Sequence, residues 1–383
     1  MYGKRFKLFT LHGFDVYIDP SWLIIAVLVT WSLGAGVFPH YFPDLSAGTH
    51  WIMGVAGALG LFASIIFHEF AHSLVARRRG MQMKGITLFI FGGVAEMSEE
   101  PPDARSEFWV AVAGPLASIG LAFAFFGTGL IIQTLGAFVP VLGVLWYLSW
   151  INMVLVVFNI IPAFPLDGGR VLRSLLWAWR QNLLWATRIV SRMGMVFGLI
   201  LIGLGVLSFL FGNIIGGVWW VILGIFLRQA ARMSYQQLVM RQALAGEPVR
   251  RFMHPDAVTV PPSVSIQNFV NDYVYRHQHK LYPVVNNGEL LGCVSLNQIK
   301  AIPKNDWPAH TVGELVVDCS EENTIKADAD AVQALTRMNQ SQVSRLIVVD
   351  GQNHLAGVLA LKDLLNFLTL KVELEGGNQT RTF

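Results

Sequence analysis

Residues 51–75 read WIMGVAGALGLFASIIFHEFAHSLV, an apolar run that carries two histidines and one glutamate near its end. A membrane helix needs about 20 apolar residues, so this run predicts one. On a helix, His68 and His72 lie one turn apart on the same face. Ionisable groups within a membrane segment are costly and by default mark a functional site.

The same five residues, His68-Glu69-Phe-Ala-His72, form the pattern H-E-x-x-H. Two neutral imidazoles at this spacing can share one Zn²⁺ at about 2.0–2.1 Å, while Glu69 is placed to act as a general base. A chance match is expected only roughly 0.01 times in a chain of this composition. The pattern therefore predicts hydrolysis within or near the bilayer, and the alternative is a pair of core histidines beside an incidental glutamate.

A third zinc ligand is expected, because catalytic zinc is typically held by three protein ligands and a water. The candidate is Asp167, in the segment 159–170 with the sequence NIIPAFPLDGGR. Pro162 and Pro165 interrupt a helix, and irregular backbone at membrane depth is tolerated only where it is buried in protein or lines a cavity. We expect a bent span that presents Asp167 to the metal; the alternative is that Asp167 caps a helix.

Composition places the chain among membrane proteins. Of 383 residues, 54% are apolar and only 14% are charged, whereas a soluble protein carries about 25% charged residues. The predicted fold class is a polytopic α-helical membrane protein with about six transmembrane helices and a re-entrant β-loop, followed by a cytosolic α/β module. The net charge of +3 is too small to indicate a nucleic-acid partner. No cleavable signal peptide is predicted.

Six apolar segments are long enough to be spans: 21–38, 51–76, 106–133, 144–163, 190–211 and 214–231. Lys and Arg flank alternate ends of these spans, and the loops 39–50, 134–143 and 212–213 contain neither. By the positive-inside rule, both termini and the C-terminal module are cytosolic in a multi-pass protein of the cytoplasmic membrane. Two cysteines, both in that module, fit a reducing compartment. His68 would lie about 24 Å along its span, nearer the cytosolic side.

Between the second and third spans, residues 84–95 read KGITLFIFGGVA. The segment is too short to cross the membrane, rich in β-formers, and ends after a glycine pair, Gly92-Gly93. We interpret it as the re-entrant β-loop, whose exposed edge would bind an unwound substrate by strand addition. The alternative is a buried packing loop.

Three motifs together resemble the site-2 protease family of intramembrane zinc metalloproteases, in the subgroup with C-terminal tandem CBS domains. They are His68-Glu-Phe-Ala-His72 followed by Ser73, the segment 159–170, and AGPLAS at 113–118. The resemblance implies one zinc ion held by His68, His72 and Asp167, with Glu69 as the catalytic base. It also implies a role for Asn159 in holding substrate or stabilising the oxyanion.

Four small residues complete the predicted site as candidate substrate-binding positions: Gly92, Gly93, Gly114 and Ser118. The last two form a small-xxx-small motif, which allows helices to pack closely.

Residues 249–370 contain an internal repeat with a period of 64–65 residues. The segment YPVV at 282–285 parallels LIVV at 346–349, and GCVSLNQ at 292–298 parallels GVLALKD at 357–363. Each unit is predicted as a helix, two strands and a helix, which resembles a tandem CBS pair. Such pairs often bind adenine nucleotides through Gly-x-x-Ser/Thr-x-x-Asp. This chain retains Ser295 in one copy and Asp363 in the other, so nucleotide binding and a structural or dimerising role both stay open.

The predicted domains are a membrane-embedded zinc metalloprotease domain at 1–232, a linker at 233–248, CBS domains at 249–308 and 309–371, and a polar tail at 372–383. The predicted partners are a membrane-tethered substrate with a transmembrane segment and a second copy bound through the CBS domains. Two other functions remain alternatives. One is a CBS-gated channel or transporter, and the other is a non-catalytic relative that binds membrane helices without cutting them.

Overall fold

The computed structural model describes residues 5–81, 83–97, 100–136, 138–320, 322–341, 343–352 and 354–375. Within them, six helices are long and apolar enough to cross a membrane, which confirms the predicted number of spans. Spans 1 to 6 are Ser21–Tyr41, Ala47–Arg78, Ala104–Thr134, Val139–Asn159, Leu183–Leu210 and Ile214–Leu244. The predicted tail beyond Glu375 lies outside the described residues.

Span ends differ from the predicted ends where polar side chains cap the helices. Span 2 begins at Ala47 because the Ser46 hydroxyl accepts a hydrogen bond from the backbone N–H of Thr49. Span 3 begins at Ala104, where Asp103 accepts from the N–H of Ser106 in the same way. Hydropathy alone does not detect these polar first turns.

The N-terminal part of the chain, which contains the spans, also forms a four-stranded sheet. Its strands are β1 (Phe6–Leu11), β2 (Phe14–Ile18), β3 (Met83–Phe89) and β4 (Gly92–Met97), in the order β1-β2-β3-β4. β2 and β3 are parallel, and the other two pairs are antiparallel. The predicted β-loop is thus the β3–β4 hairpin. In the described chain, β4 is an edge strand.

The segment after span 4 is bent, as the two prolines predict. The helix ends at Asn159, residues 160–166 form turns, and a second helix begins at Asp167 and ends at Arg180. We call Asp167–Arg180 the Asp167 helix. A Cβ at Gly168 would lie 2.1 Å from the carbonyl oxygen of Ile160, so this close packing of helix and turn requires glycine.

The chain divides into two compact units, Met1–Gln236 and Gln237–Phe383. The second unit contains the repeat. Its first copy has helical turns at 266–277, strands β5 (Leu281–Asn286) and β6 (Glu289–Ser295), and a short helix Leu296–Ile299. Its second copy has β7 (Thr324–Lys326), helix Ala331–Gln340, β8 (Arg345–Val349), β9 (Leu355–Ala360) and helix Leu361–Glu375.

Each copy buries its own apolar core in the second unit. Tyr282 and Val284 lie in the core of the first copy, and Leu346 and Val348 occupy the corresponding strand in the core of the second. Leu244, the last residue of span 6, is fully buried in the core of the second copy. Residues 233–244 of the predicted linker belong to the helix Ile214–Leu244.

Candidate metal centre and active site

Three buried side chains from two helices converge on one point. His68 and His72 come from span 2, and Asp167 is the first residue of the Asp167 helix. The Asp167 Oδ2 atom lies 3.0 Å from His68 Nε2 and 3.2 Å from His72 Nε2, and the two nitrogens are 3.1 Å apart. The N-cap residue of this helix is Leu166, so Asp167 does not cap the helix, which was the alternative prediction. Its carboxylate contacts the two histidines instead.

This donor set fits a zinc ion. In a tetrahedral site with zinc–nitrogen bonds of about 2.0–2.1 Å, neighbouring ligand atoms lie about 3.3 Å apart, close to the observed separations. His72 Nδ1 donates to the carbonyl oxygen of Val110 at 2.6 Å, so in the neutral ring, the form that binds a metal, Nε2 presents a lone pair toward the Asp167 carboxylate. A lone pair and a carboxylate repel each other unless a cation lies between them.

Span 3 supports both histidines from a single face. Val110, Gly114 and Ser118 follow one another at intervals of one turn. Ser118 Oγ is hydrogen-bonded to His68 Nδ1 at 2.9 Å, as Val110 is to His72. Such outer partners fix the orientation of a metal-ligating imidazole.

Of the candidate substrate-binding residues, Gly114 and Ser118 lie at the histidines. Ser118 is fully buried. A Cβ at Gly114 would lie 2.2 Å from His72 Nε2 and 2.5 Å from His68 Nε2. Space for a ligand at these nitrogens therefore depends on the absence of a side chain at position 114.

Glu69 lies beside β4. It is half-buried on span 2, and a Cβ at Gly93 would lie 2.8 Å from Glu69 Cγ. The backbone of β4 therefore passes directly along the candidate base, with Gly92 at the start of the strand. Asn159, the last residue of span 4, is half-buried and precedes the turns that lead to Asp167.

One buried pair near this site was not predicted. Arg173 on the Asp167 helix donates from Nε to Glu107 Oε1 on span 3 at 2.6 Å, and Glu107 is fully buried. The sequence contained a signal for it, since Glu107 is an acidic residue inside a predicted span, where such residues are scarce and mark function.

In the second unit, residues of both copies of the repeat line a cavity of about 370 Å³. Asp363 lines it together with His254, His279, Arg345 and Lys362. Asp363 Oδ2 lies 3.3 Å from His254 Nε2. Partial burial, and then the positive charge of Arg345, lower the pKa of His279. The cavity therefore combines two carboxylates, Asp256 and Asp363, with basic groups that can bind an anion.

Ser295 has a different environment. It is the N-cap of the helix Leu296–Ile299 and forms a capping box with Gln298. Gln298 Oε1 accepts from the Ser295 N–H, and its Nε2 donates to the carbonyl oxygen of Leu315. Among the described residues, those that line the cavity include Asp363 and do not include Ser295.

Comparison with known proteins agrees with this architecture. The chain matches Peptidase family M50 over residues 56–139 and 131–201, and the CBS domain over residues 249–303 and 312–370. It is 35% identical to the "Putative zinc metalloprotease" of Synechocystis sp. over 96% of both chains. It is 32% identical to a zinc metalloprotease of Methanocaldococcus jannaschii, over 82% of this chain and 86% of that protein.

A solved structure of a site-2 protease from M. jannaschii matches 60% of this chain and 94% of that chain, with 28% identity and a TM-score of 0.43. The similarity to the Synechocystis protein covers 96% of this chain and thus includes both the spans and the repeat. We conclude that the chain belongs to peptidase family M50, the site-2 proteases, and is a multi-pass membrane zinc metalloprotease with a C-terminal pair of CBS domains.

Proposed function

We propose that this protein hydrolyses a peptide bond in or near the transmembrane segment of a membrane-tethered protein, as in regulated intramembrane proteolysis. In this proposal His68, His72 and Asp167 hold one Zn²⁺, and Glu69 is the general base. The observation that carries it is the convergence of three buried ligand atoms within 4.8 Å of one another. A channel or transporter would leave this arrangement without a use.

The zinc ion, when bound, supplies Lewis acidity and lowers the pKa of a coordinated water to about 7. Glu69 follows His68 directly on span 2, so its carboxylate is placed to accept the proton of the attacking water and to pass it to the leaving amine. We assign to Asn159 the stabilisation of the substrate carbonyl oxygen, as the family resemblance implies.

The substrate is proposed to bind as an extended strand. A peptide carbonyl within a helix is already hydrogen-bonded and shielded, so the scissile segment must unwind before attack. The edge strand β4 offers unpaired backbone groups to such a segment. Because Gly93 lies against Glu69, a strand added along β4 would bring its carbonyls close to the base. We retain the proposal that this hairpin is re-entrant.

Glu69→Gln tests the assignment of the base. Wild type, Glu69→Gln and Asp167→Ala would each be co-expressed with a panel of tagged single-span proteins in a host that lacks its own site-2 protease. We expect cleavage only by wild type, and about one zinc per chain in wild type and Glu69→Gln. Asp167→Ala should lose zinc. Cleavage by Glu69→Gln would overturn the role of Glu69.

We further propose that both termini and the CBS pair face the cytosol, because the basic residues flank alternate span ends. Cys319 is exposed and Cys293 is buried. A membrane-impermeant maleimide should therefore label inverted vesicles at Cys319 and leave intact cells unlabelled, with Cys319→Ser as the control. Labelling of intact cells would reverse the orientation.

Modulation by the CBS pair is the last part of the proposal. Residues 233–248 join the spans to the CBS pair, and a ligand bound by the pair would transmit a change of state to span 6 through this segment. We propose an adenine nucleotide as that ligand, bound at Asp363, and a homodimer formed through the CBS domains.

A further inference from the structure

The buried Glu107–Arg173 pair joins span 3, which holds the two histidines by hydrogen bonds, to the Asp167 helix, which carries the third candidate ligand. Arg173 Nε donates to Glu107 Oε1 at 2.6 Å, and Nη2 contacts the same oxygen. The side chain of Arg173 is 7% exposed and that of Glu107 is fully buried. A buried ion pair is costly to form in protein and is a weak source of stability by itself. Its presence beside the site therefore calls for another explanation.

Glu107 lies on the face of span 3 that supports the histidines. It precedes Val110, Gly114 and Ser118 at spacings of three, then four, then four residues, which places all four on one side of the helix. Span 3 therefore orients the two imidazoles at Val110 and Ser118 and, one turn earlier, binds the Asp167 helix through Glu107.

Arg173 holds the chain on both sides of Asp167. It follows Asp167 by six residues, or about 9 Å along the helix. Its guanidinium also lies 5.0 Å from the centroid of the Phe164 ring, in the turn that precedes Asp167. A third contact joins Nη2 to Glu100 Oε2 at 3.4 Å. Arg173 thus contacts the turn just before Asp167 and also anchors the helix about one and a half turns after it, so this one side chain restrains the backbone on both sides of Asp167.

We propose that Glu107 and Arg173 are positioning residues, which fix the Asp167 carboxylate at ligand distance from His68 and His72. They act through Asp167 and touch neither zinc nor substrate. The inference rests on the proposed metal site. It adds that the Glu107–Arg173 ion pair ties the helix carrying Asp167 to span 3, the helix that orients His68 and His72.

The test separates positioning from simple stability. Glu107→Gln and Arg173→Met each leave one buried charge without its buried counter-charge, whereas the double variant removes both charges and should recover thermal stability. We expect all three to lose zinc to a chelator at least tenfold faster than wild type. We also expect a changed ligand-field spectrum after Co²⁺ substitution, and a lower kcat with little change in KM.

Asp103→Ala is the matched control, because it removes the N-cap of span 3 without touching the Asp167 helix. It should change stability but not the rate of zinc loss. If the double variant recovers wild-type zinc retention and spectrum together with stability, the pair is only structural and the inference is wrong. If wild type itself binds no zinc, the proposed function fails instead.

Discussion

Gly114 faces His72 so closely that a Cβ at this position would lie 2.2 Å from Nε2, and 2.5 Å from the same atom of His68. No flexible neighbour can relieve this contact, because each imidazole is also held at Nδ1, by Val110 and by Ser118. Span 3 therefore lines one side of the candidate metal site. The lack of a side chain at Gly114 leaves the space that a metal ion needs beside the two imidazoles.

Gly114→Ala should displace the imidazoles by roughly 1 Å, and a misplacement of this size can cost about 10²-fold in rate. We expect zinc content and peptidase activity to fall together. Gly120→Ala, on the same helix, is the control, because a Cβ there meets nothing within 4 Å. Elemental analysis and cleavage assays check both variants. Full zinc occupancy in Gly114→Ala would contradict the geometry.

Ser118→Ala should weaken zinc binding about 10- to 100-fold, the usual range for loss of an outer hydrogen bond to a ligating histidine. The His68 ring would lose its partner at Nδ1 and turn more freely. Competition with a chromogenic chelator measures the affinity. Ser149→Ala removes a hydroxyl that bonds to the backbone of Ala122 and should leave the affinity unchanged. If Ser118 instead contacts substrate, KM rises while zinc affinity stays the same.

Gly93→Ala should impair catalysis without loss of metal. The added methyl would lie 2.8 Å from Glu69 Cγ and 3.0 Å from Ile65 Cγ2, so the carboxylate must move away from β4. We expect kcat to fall about 10²-fold with zinc content at the wild-type level. Cleavage kinetics paired with metal analysis give the result. Loss of zinc in this variant would mean that β4 supports the ligands as well as the base.

The local part of the site could be predicted from sequence, because helical geometry alone places His68 and His72 on one face. Asp167 could be predicted because acidic residues are rare in the apolar half. The contacts of Ser118 and Glu107 could not, since each depends on how span 3 packs against a helix 50 or 66 residues away in the chain. Periodicity carries no information about such packing.

The N-terminal strands, β1 and β2, could not be predicted for a similar reason. Their place in the sheet depends on the parallel pairing of β2 with β3, in which Val16 lies opposite Ile86. Two strands so far apart in the chain leave no local signal. The adjacent hairpin was predictable because its strands are joined by a short turn at Ile90 and Phe91.

Asp363→Ala should weaken nucleotide binding by the full-length protein at least tenfold, whereas Gln298→Ala should not. Asp363 lines the cavity of about 370 Å³, while Gln298 is bonded to Ser295 and to the carbonyl oxygen of Leu315. Asp363 Oδ2 also accepts from the backbone N–H of Ala360, so the two positions differ chiefly in that Asp363 borders the cavity, where we expect a ribose to bind. We expect one ATP or AMP per chain by calorimetry, with affinity reduced at least tenfold in Asp363→Ala. Two bound nucleotides per chain, or equal binding by Asp363→Ala and wild type, would show that the nucleotide binds at another surface of the repeat. If wild type binds no nucleotide, the CBS pair has a structural or dimerising role instead.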